Sequence, residues 1–250
     1  MTIDWDSFTR ETPEIAEVRL LGCVDVTALL ALQKLMVHEV RLQSRISAAV
    51  MLFELPPTVT QGIDSNLLQM PEDSRELEAR LIRVCPVRRE GGAIMHQPGQ
   101  LGVHVVVSLD EAGWTESEFR ERIRTAIIRG CTDHQVIARS RENDLSVVDG
   151  RHGLLAQIAI RLEQGVTSFG FYLNVSCSLE EQRLVGRGLQ GERISSLNAE
   201  RVRPTQMPQV RSSLIHHLCD QLGYPDYHIH TGHPFLTRTR VQVHDKFTDR

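Results

Sequence analysis

Residues 102–109 read Gly-Val-His-Val-Val-Val-Ser-Leu. A run this apolar has no face to offer water, and it predicts a strand at the centre of a sheet. Immediately before it, residues 89–101 read Arg-Glu-Gly-Gly-Ala-Ile-Met-His-Gln-Pro-Gly-Gln-Leu. Two adjacent glycines let the backbone turn tightly and approach a ligand closely, and Pro98-Gly99 makes a second break. Loops hung on rigid strands are where binding residues gather. Arg89 and His96 supply the chemistry in this one. Residue types alone are also satisfied by an ordinary glycine turn between two strands.

The rest of the chain supplies partners for that strand. Strands are predicted over 16–22, 48–55, 81–87, 135–139 and 145–148. Two more, over 153–162 and 167–175, pair through a turn at Gln164-Gly165. Pro56-Pro57 stops the second strand, since proline cannot donate to a ladder. Residues 58–70 read as a loop, 110–113 as a turn, and Asp149-Gly150 as a tight turn. Leu29, Leu32, Met36 and Val40 recur at helical spacing after a cap at Asp25 or Thr27, predicting a helix to about residue 45. Short helices are expected over 72–80 and 179–184, and a longer one over 210–222. The helix over 116–129 has the fullest set of signals. Thr115 and Glu118 form a capping box, Trp114 and Phe119 a hydrophobic staple, and Gly130 suits the position after its end. Helices and strands alternate, so the class is α/β, with a mixed β-sheet flanked by helices. A flexible arm is expected at 1–15, one domain at 16–225, and a polar histidine-rich tail at 226–250.

Composition narrows the functional classes. The 250 residues carry a net charge of −4, which gives no basic face for nucleic acid. No nucleic-acid partner is expected. The start of the chain lacks the basic and apolar regions of a signal peptide. The apolar stretch over 48–53 is far too short to span a bilayer, so no membrane partner is expected. The cysteines at 23, 85, 131, 177 and 219 are scattered and include no Cys-x-x-Cys, which reads as reduced thiols in a cytoplasmic protein. His228, His230 and His233, with His216, His217 and Cys219 nearby, lack the regular spacing of a closed metal site, so no metal is expected.

Several motifs in order carry a resemblance. Residues 89–101 resemble the Arg-Gly-Gly-x-(Val/Ile)-Thr-(Tyr/Trp)-His-Gly-Pro-Gly-Gln-Leu signature of the octanoyltransferase family, also called lipoate–protein ligase B. Arg89, Gly91, His96, Pro98, Gly99, Gln100 and Leu101 match in place, whereas Glu90, Ile94 and Gln97 do not. Upstream, residues 53–62 resemble the family's Leu-Glu-His-Pro-Pro-Val-(Tyr/Ile)-Thr-Leu-Gly, with Leu55 at the histidine. Downstream, residues 154–161 and 169–175 resemble Lys-Ile-(Ala/Cys)-(Ala/Ser)-(Ile/Leu)-Gly-(Val/Leu)-Arg and His-Gly-x-Ala-Leu-Asn-Val. Arg161, Gly170, Leu173, Asn174 and Val175 match there, while Leu154 stands at the lysine and Phe169 at the histidine. The family's Pro-Cys-Gly falls on Gly186-Arg187-Gly188.

The resemblance spans roughly residues 16–200 and implies the fold of the biotin/lipoate ligase catalytic domain. It implies a substrate site from Arg89, Glu90, Gly91, Gly92, Ala93, Ile94, Met95 and His96. The second motif adds Gln157, Ile158 and Ala159, with Gly170, Phe171 and Tyr172. The implied activity moves octanoyl from an acyl-carrier protein to a lipoyl-domain lysine, in 2-oxoacid dehydrogenase or glycine-cleavage proteins, with no cofactor.

The family route runs through a cysteine thiolate, assisted by a lysine that lowers its pKa. Arg187 stands at the cysteine and is no nucleophile, because a guanidinium stays protonated. Leu154 stands at the lysine and carries no charge. No catalytic residue is therefore assigned, and altered or lost chemistry is expected. Cys177 is one candidate for a relocated nucleophile, although a free cysteine is more commonly a small buried hydrophobe. His96 acting as general base, with Arg89 or Arg187 polarising a thioester oxygen, is another route. A non-catalytic protein that binds an acyl group or lipoyl domain is the main alternative. An ATP-dependent ligase of the lipoate or biotin type is a further one, with Arg151 or Arg187 as its cation.

Overall fold

The computed structural model describes residues 15–42, 46–65, 74–142, 144–185, 193–234 and 236. The expected arm, apart from Ile15, and the end of the tail from 237 lie outside these residues, as does Arg187.

An eight-stranded mixed sheet forms the body. Its strands are β1 (Ala16–Cys23), β2 (Ala48–Glu54), β6 (Gln100–Val107), β7 (Arg139–Arg141), β8 (Asp144–Asp149), β9 (Leu154–Glu163), β10 (Val166–Asn174) and β11 (Tyr227–Thr231). They lie in the order β11-β1-β2-β6-β10-β9-β8-β7. The three at the β11 end are parallel, and the pairings from β2 onward are antiparallel. The strand β6 is central and buried along its whole length, as its composition requires. A second sheet holds β3 (Thr58–Gln61), β4 (Arg83–Pro86) and β5 (Ala93–His96), in the order β4-β3-β5.

Side-chain alternation divides the core between the two faces of the large sheet. Ala48, Val50 and Leu52 of β2 join one cluster, with Phe119 and Ile123 of α4 (Glu116–Asp133) and Leu214 and Leu218 of α6 (Met207–Gln221). Ala49, Met51 and Phe53 join the other, beneath Leu29, Leu32 and Met36 of α1 (Val26–Arg41). Ile94 of β5 belongs to this second cluster, which fixes the small sheet on the α1 face. Short helices α2 (Ser74–Ala79), α3 (Leu109–Ala112) and α5 (Leu179–Gln182), the last followed by a 3-10 turn at Arg183–Val185, complete the described elements. No described helix is long and apolar enough to cross a membrane.

Several local signals are met. Asp25 caps α1. At α4 the Thr115 hydroxyl accepts the Glu118 amide at 3.2 Å, and the Glu118 carboxylate accepts the Thr115 amide at 2.7 Å. The turn between β9 and β10 places Gln164 at φ 53° and Gly165 at φ 78°, the left-handed pair of a tight hairpin.

Other expectations are corrected. Residues 58–61 are a strand rather than loop, and β5 lies inside the glycine-rich segment, because these two short runs pair with each other. The expected turn at 110–113 is the one-turn helix α3, capped by Ser108 and closed by Gly113 at φ 67°. The strand expected over 135–139 is instead Arg139–Arg141. Gly130 does not end α4. It lies inside the helix, where a Cβ would stand 2.8 Å from Leu214 Cδ2, so its missing side chain lets α6 pack closely. The sheet also reaches past residue 225, since β11 pairs in parallel with β1.

Candidate functional site

The glycine-rich segment is fastened to the turn that follows β3. The amides of Gly62, Ile63 and Asp64 donate to the carbonyls of Gly92, Arg89 and Gly91 at 3.2, 2.9 and 3.2 Å. The Asp64 carboxylate accepts the Gly91 amide at 2.8 Å. Only glycine fits at 62, since a Cβ there would lie 2.1 Å from the Gly91 oxygen. Gly91 takes φ 78°, which a side chain would strain. On the other side the Glu90 amide reaches the Ile160 carbonyl of β9 at 3.4 Å, and Arg161 donates to the Arg88 carbonyl at 3.2 Å. The Glu90 carboxylate pairs with Arg120 of α4, which also holds Glu116.

This arrangement leaves a notch. The pairing of β8 with β9 stops at Val147 opposite Gln157, whereas the loop takes hold of β9 only at Ile160. Between them lies a cavity of about 420 Å³, within the size range of small-molecule sites. Its lining includes Arg89, Glu90, Gly91, Gly92 and Ile94 from the loop and β5, and Gln157, Ile158 and Ala159 from β9. Ile63 and Asp64, with Ser146 and Val147 of β8, complete it. Sequence reasoning missed these last four. The hairpin signal at Asp149-Gly150 carried the clue for β8, because a hairpin there brings residues 146–147 opposite 157.

Six residues named from the sequence do not line the cavity. Ala93 and Met95 face the small core under the second sheet. Phe171 points into the α4 face of the large sheet. Gly170 pairs with His104 where β10 lies beside β6, and a Cβ there would lie 2.2 Å from the Val103 oxygen. His96 and Tyr172 belong to a buried network behind the cavity.

Arg89 starts that network and has no exposure. Its Nη2 donates to the Thr60 hydroxyl at 2.8 Å and carbonyl at 2.9 Å, and its Nη1 to the Glu90 carbonyl at 2.8 Å. Among the described residues its Nε has no partner. The Thr60 hydroxyl lies 2.7 Å from His96 Nε2, and His96 Nδ1 lies 2.7 Å from Gln100 Oε1. Gln100 Nε2 donates to the Met95 carbonyl and to Asn174 Oδ1, so its Oε1 must accept. His96 therefore carries its proton on Nδ1 and accepts from Thr60 at Nε2. Burial lowers its pKa to about 3, helped by the Arg89 charge. His104, boxed by Phe53, Phe169 and Tyr172, is also lowered to about 3 by burial and by His96 and Arg89. Its Nε2 meets the Tyr172 hydroxyl at 3.2 Å, and its Nδ1 has no partner among the described residues.

His96 is thus not a base poised over a substrate. Both ring nitrogens are engaged, and the side chain is sealed from the cavity. Cys177 fares no better as a relocated nucleophile, because burial pushes its thiol up to about 12, far from the thiolate that attack requires. Leu154 is buried at the start of β9, with its backbone bonded to Arg193 and Ser195. The histidines of the tail region disperse: His217 pairs with Asp133, and His230 with Glu17.

Fold and cavity together define an α/β domain in which a glycine-rich loop closes over a small, largely apolar cavity. Residues 25–219 match the family described as the lipoyl protein ligase A/B catalytic domain. The chain belongs to that family. It is 28% identical over 203 residues to an octanoyltransferase of Roseiflexus sp., covering 80% of this chain and 84% of that one. In fold it is similar to a putative lipoate protein ligase from T. acidophilum with bound lipoic acid. That match has a TM-score of 0.69 at 17% identity, over 88% of this chain and 91% of that chain. A bipartite lipoate protein ligase of Thermoplasma acidophilum, studied with its E2 lipoyl domain, superposes with a TM-score of 0.63 at 16% identity, over 88% of each chain.

Proposed function

We propose that the protein is an octanoyltransferase-family member of lipoate assembly that holds a medium-length acyl chain in this cavity without forming a thioester on itself. The observation that carries the reading is the cavity lining. It is apolar in its depth, with Ile94, Val147, Ile158 and Ala159, and none of the described residues that line it is a cysteine or a lysine. The positions that resemble the family's lysine and cysteine hold Leu154 and Arg187. The thiol of Cys177 is buried and held protonated. The partners under this reading are octanoyl-acyl-carrier protein and the lipoyl domains of 2-oxoacid dehydrogenase or glycine-cleavage proteins, in the cytoplasm. The ATP-dependent alternative is weaker. The lining's single cation, Arg89, already serves Thr60 and Glu90, and Asp64 and Glu90 would repel a phosphate.

Mass spectrometry tests this. The purified protein is mixed with octanoyl-acyl-carrier protein and an apo lipoyl domain, without ATP. Native spectra are expected to show a complex with octanoyl-acyl-carrier protein that the unacylated carrier does not form. Denaturing spectra are expected to show no octanoyl increment on the protein. A hydroxylamine-labile increment on the protein would overturn the reading and make Cys177→Ser the next variant.

A further inference from the structure

Among the described residues, every charge that the cavity shows to solvent is a carboxylate. Asp64 is exposed, and the Glu90 side chain keeps 41% of its exposure. Arg89 lies beneath them with none. Among the described lining residues an entering molecule therefore meets two acids and no exposed cation. The Glu90 charge is not cancelled by its ion pair, because Arg120 is shared between Glu90 and Glu116, one cation against two carboxylates. Its position is also fixed. The Glu90 amide is bonded to β9 and the carboxylate to α4, so the acid cannot swing clear of the opening.

We propose that Glu90 is a specificity-determining residue which, with Asp64, makes the mouth of the cavity a charge filter. It admits the acyl chain in neutral form, as a thioester or an amide, and turns away anionic forms such as the free carboxylate. Like charges at a partly buried rim are poorly screened, and a carboxylate that must also shed water on entering is opposed twice. The proposal rests on the reading of the cavity as an acyl site.

Calorimetry with the full chain at pH 7.5 separates the two claims, using octanamide and octanoate as probes of equal length. The protein is expected to bind octanamide about tenfold or more tighter than octanoate, a difference of ~1.4 kcal/mol or more. Glu90→Gln and Asp64→Asn keep an oxygen for Arg120 and for the Gly91 amide. Each is expected to strengthen octanoate binding severalfold relative to octanamide, narrowing the gap between the two probes. Equal affinity for the two probes, or a preference that neither variant alters, overturns the filter while leaving the acyl site standing. Failure of folded protein to bind either probe overturns both.

Discussion

His96 and His104 show how a polar residue in a motif can belong to the scaffold. In residues 89–101 His96 is one candidate base, although a histidine after a glycine turn is more often a structural hydrogen-bonder, and Thr60 and Gln100 do occupy both of its nitrogens. Those partners come from different strands, and Asn174 behind them from a third. The network was therefore invisible in the sequence, although the loop that it supports was plain. It has a cost that pH exposes. Both histidines have folded pKa values near 3, below the ~6.5 of an unfolded chain. Between these values only the unfolded state takes up the protons, so stability is complete above ~6.5 and falls as pH drops toward 3. The fall approaches ~1.4 kcal/mol per pH unit for each histidine. His104→Leu is expected to remove about half of that slope, measured as urea midpoints at pH 7, 6 and 5. An unchanged slope would place the acid sensitivity elsewhere. Gly170 makes the opposite point. The resemblance implies a binding residue there, and its surroundings show a close backbone approach between the paired strands β10 and β6. Gly170→Ala is expected to lower stability by ~2 kcal/mol or more through the clash with Val103, whatever it does to ligand binding.

Helices and hairpins with signals close together in sequence were legible as elements. The capping box of α4 needs only Thr115 and Glu118, three residues apart, and it forms as expected. Thr115→Ala is expected to cost ~1 kcal/mol and to lower the melting temperature by about 2–4 °C, with no change in octanamide affinity. The second sheet was not legible. The strands β3 and β5 are four residues each, and each exists because the other is there. A run so short has no period to detect, and in β5 two glycines precede a strand that reads as loop. The end of α4 was misjudged for a related reason. Gly130 carries the local mark of a helix stop, but the space that it leaves is taken by Leu214 from a helix about eighty residues later in the chain. One wall of the cavity was similarly hidden, because Ser146 and Val147 enter it only through the register of β8 on β9.

At the scale of the whole molecule, the central strand followed from the apolar run at 102–109 and the α/β class from the alternation of helices and strands. The position of the last strand did not, because Tyr227–Thr231 is mostly exposed and alternates with histidines. Its pairing with β1 shields the backbone of a strand whose Ala16 and Val18 lie fully in the core. A chain truncated after residue 225 is expected to expose that edge and to associate through it, seen as higher mass by light scattering after size exclusion. A truncated chain that stays monomeric with an unchanged melting temperature would show that β11 is only an ornament.

The same pairing sets an order of events at the ribosome. The first of the described strands, β1, has as one neighbour the strand made some two hundred residues afterwards. At 5–20 residues per second, that edge waits about ten to forty seconds for its partner. During synthesis the nascent chain carries an unfinished sheet, and whatever guards it in that interval is outside the fold.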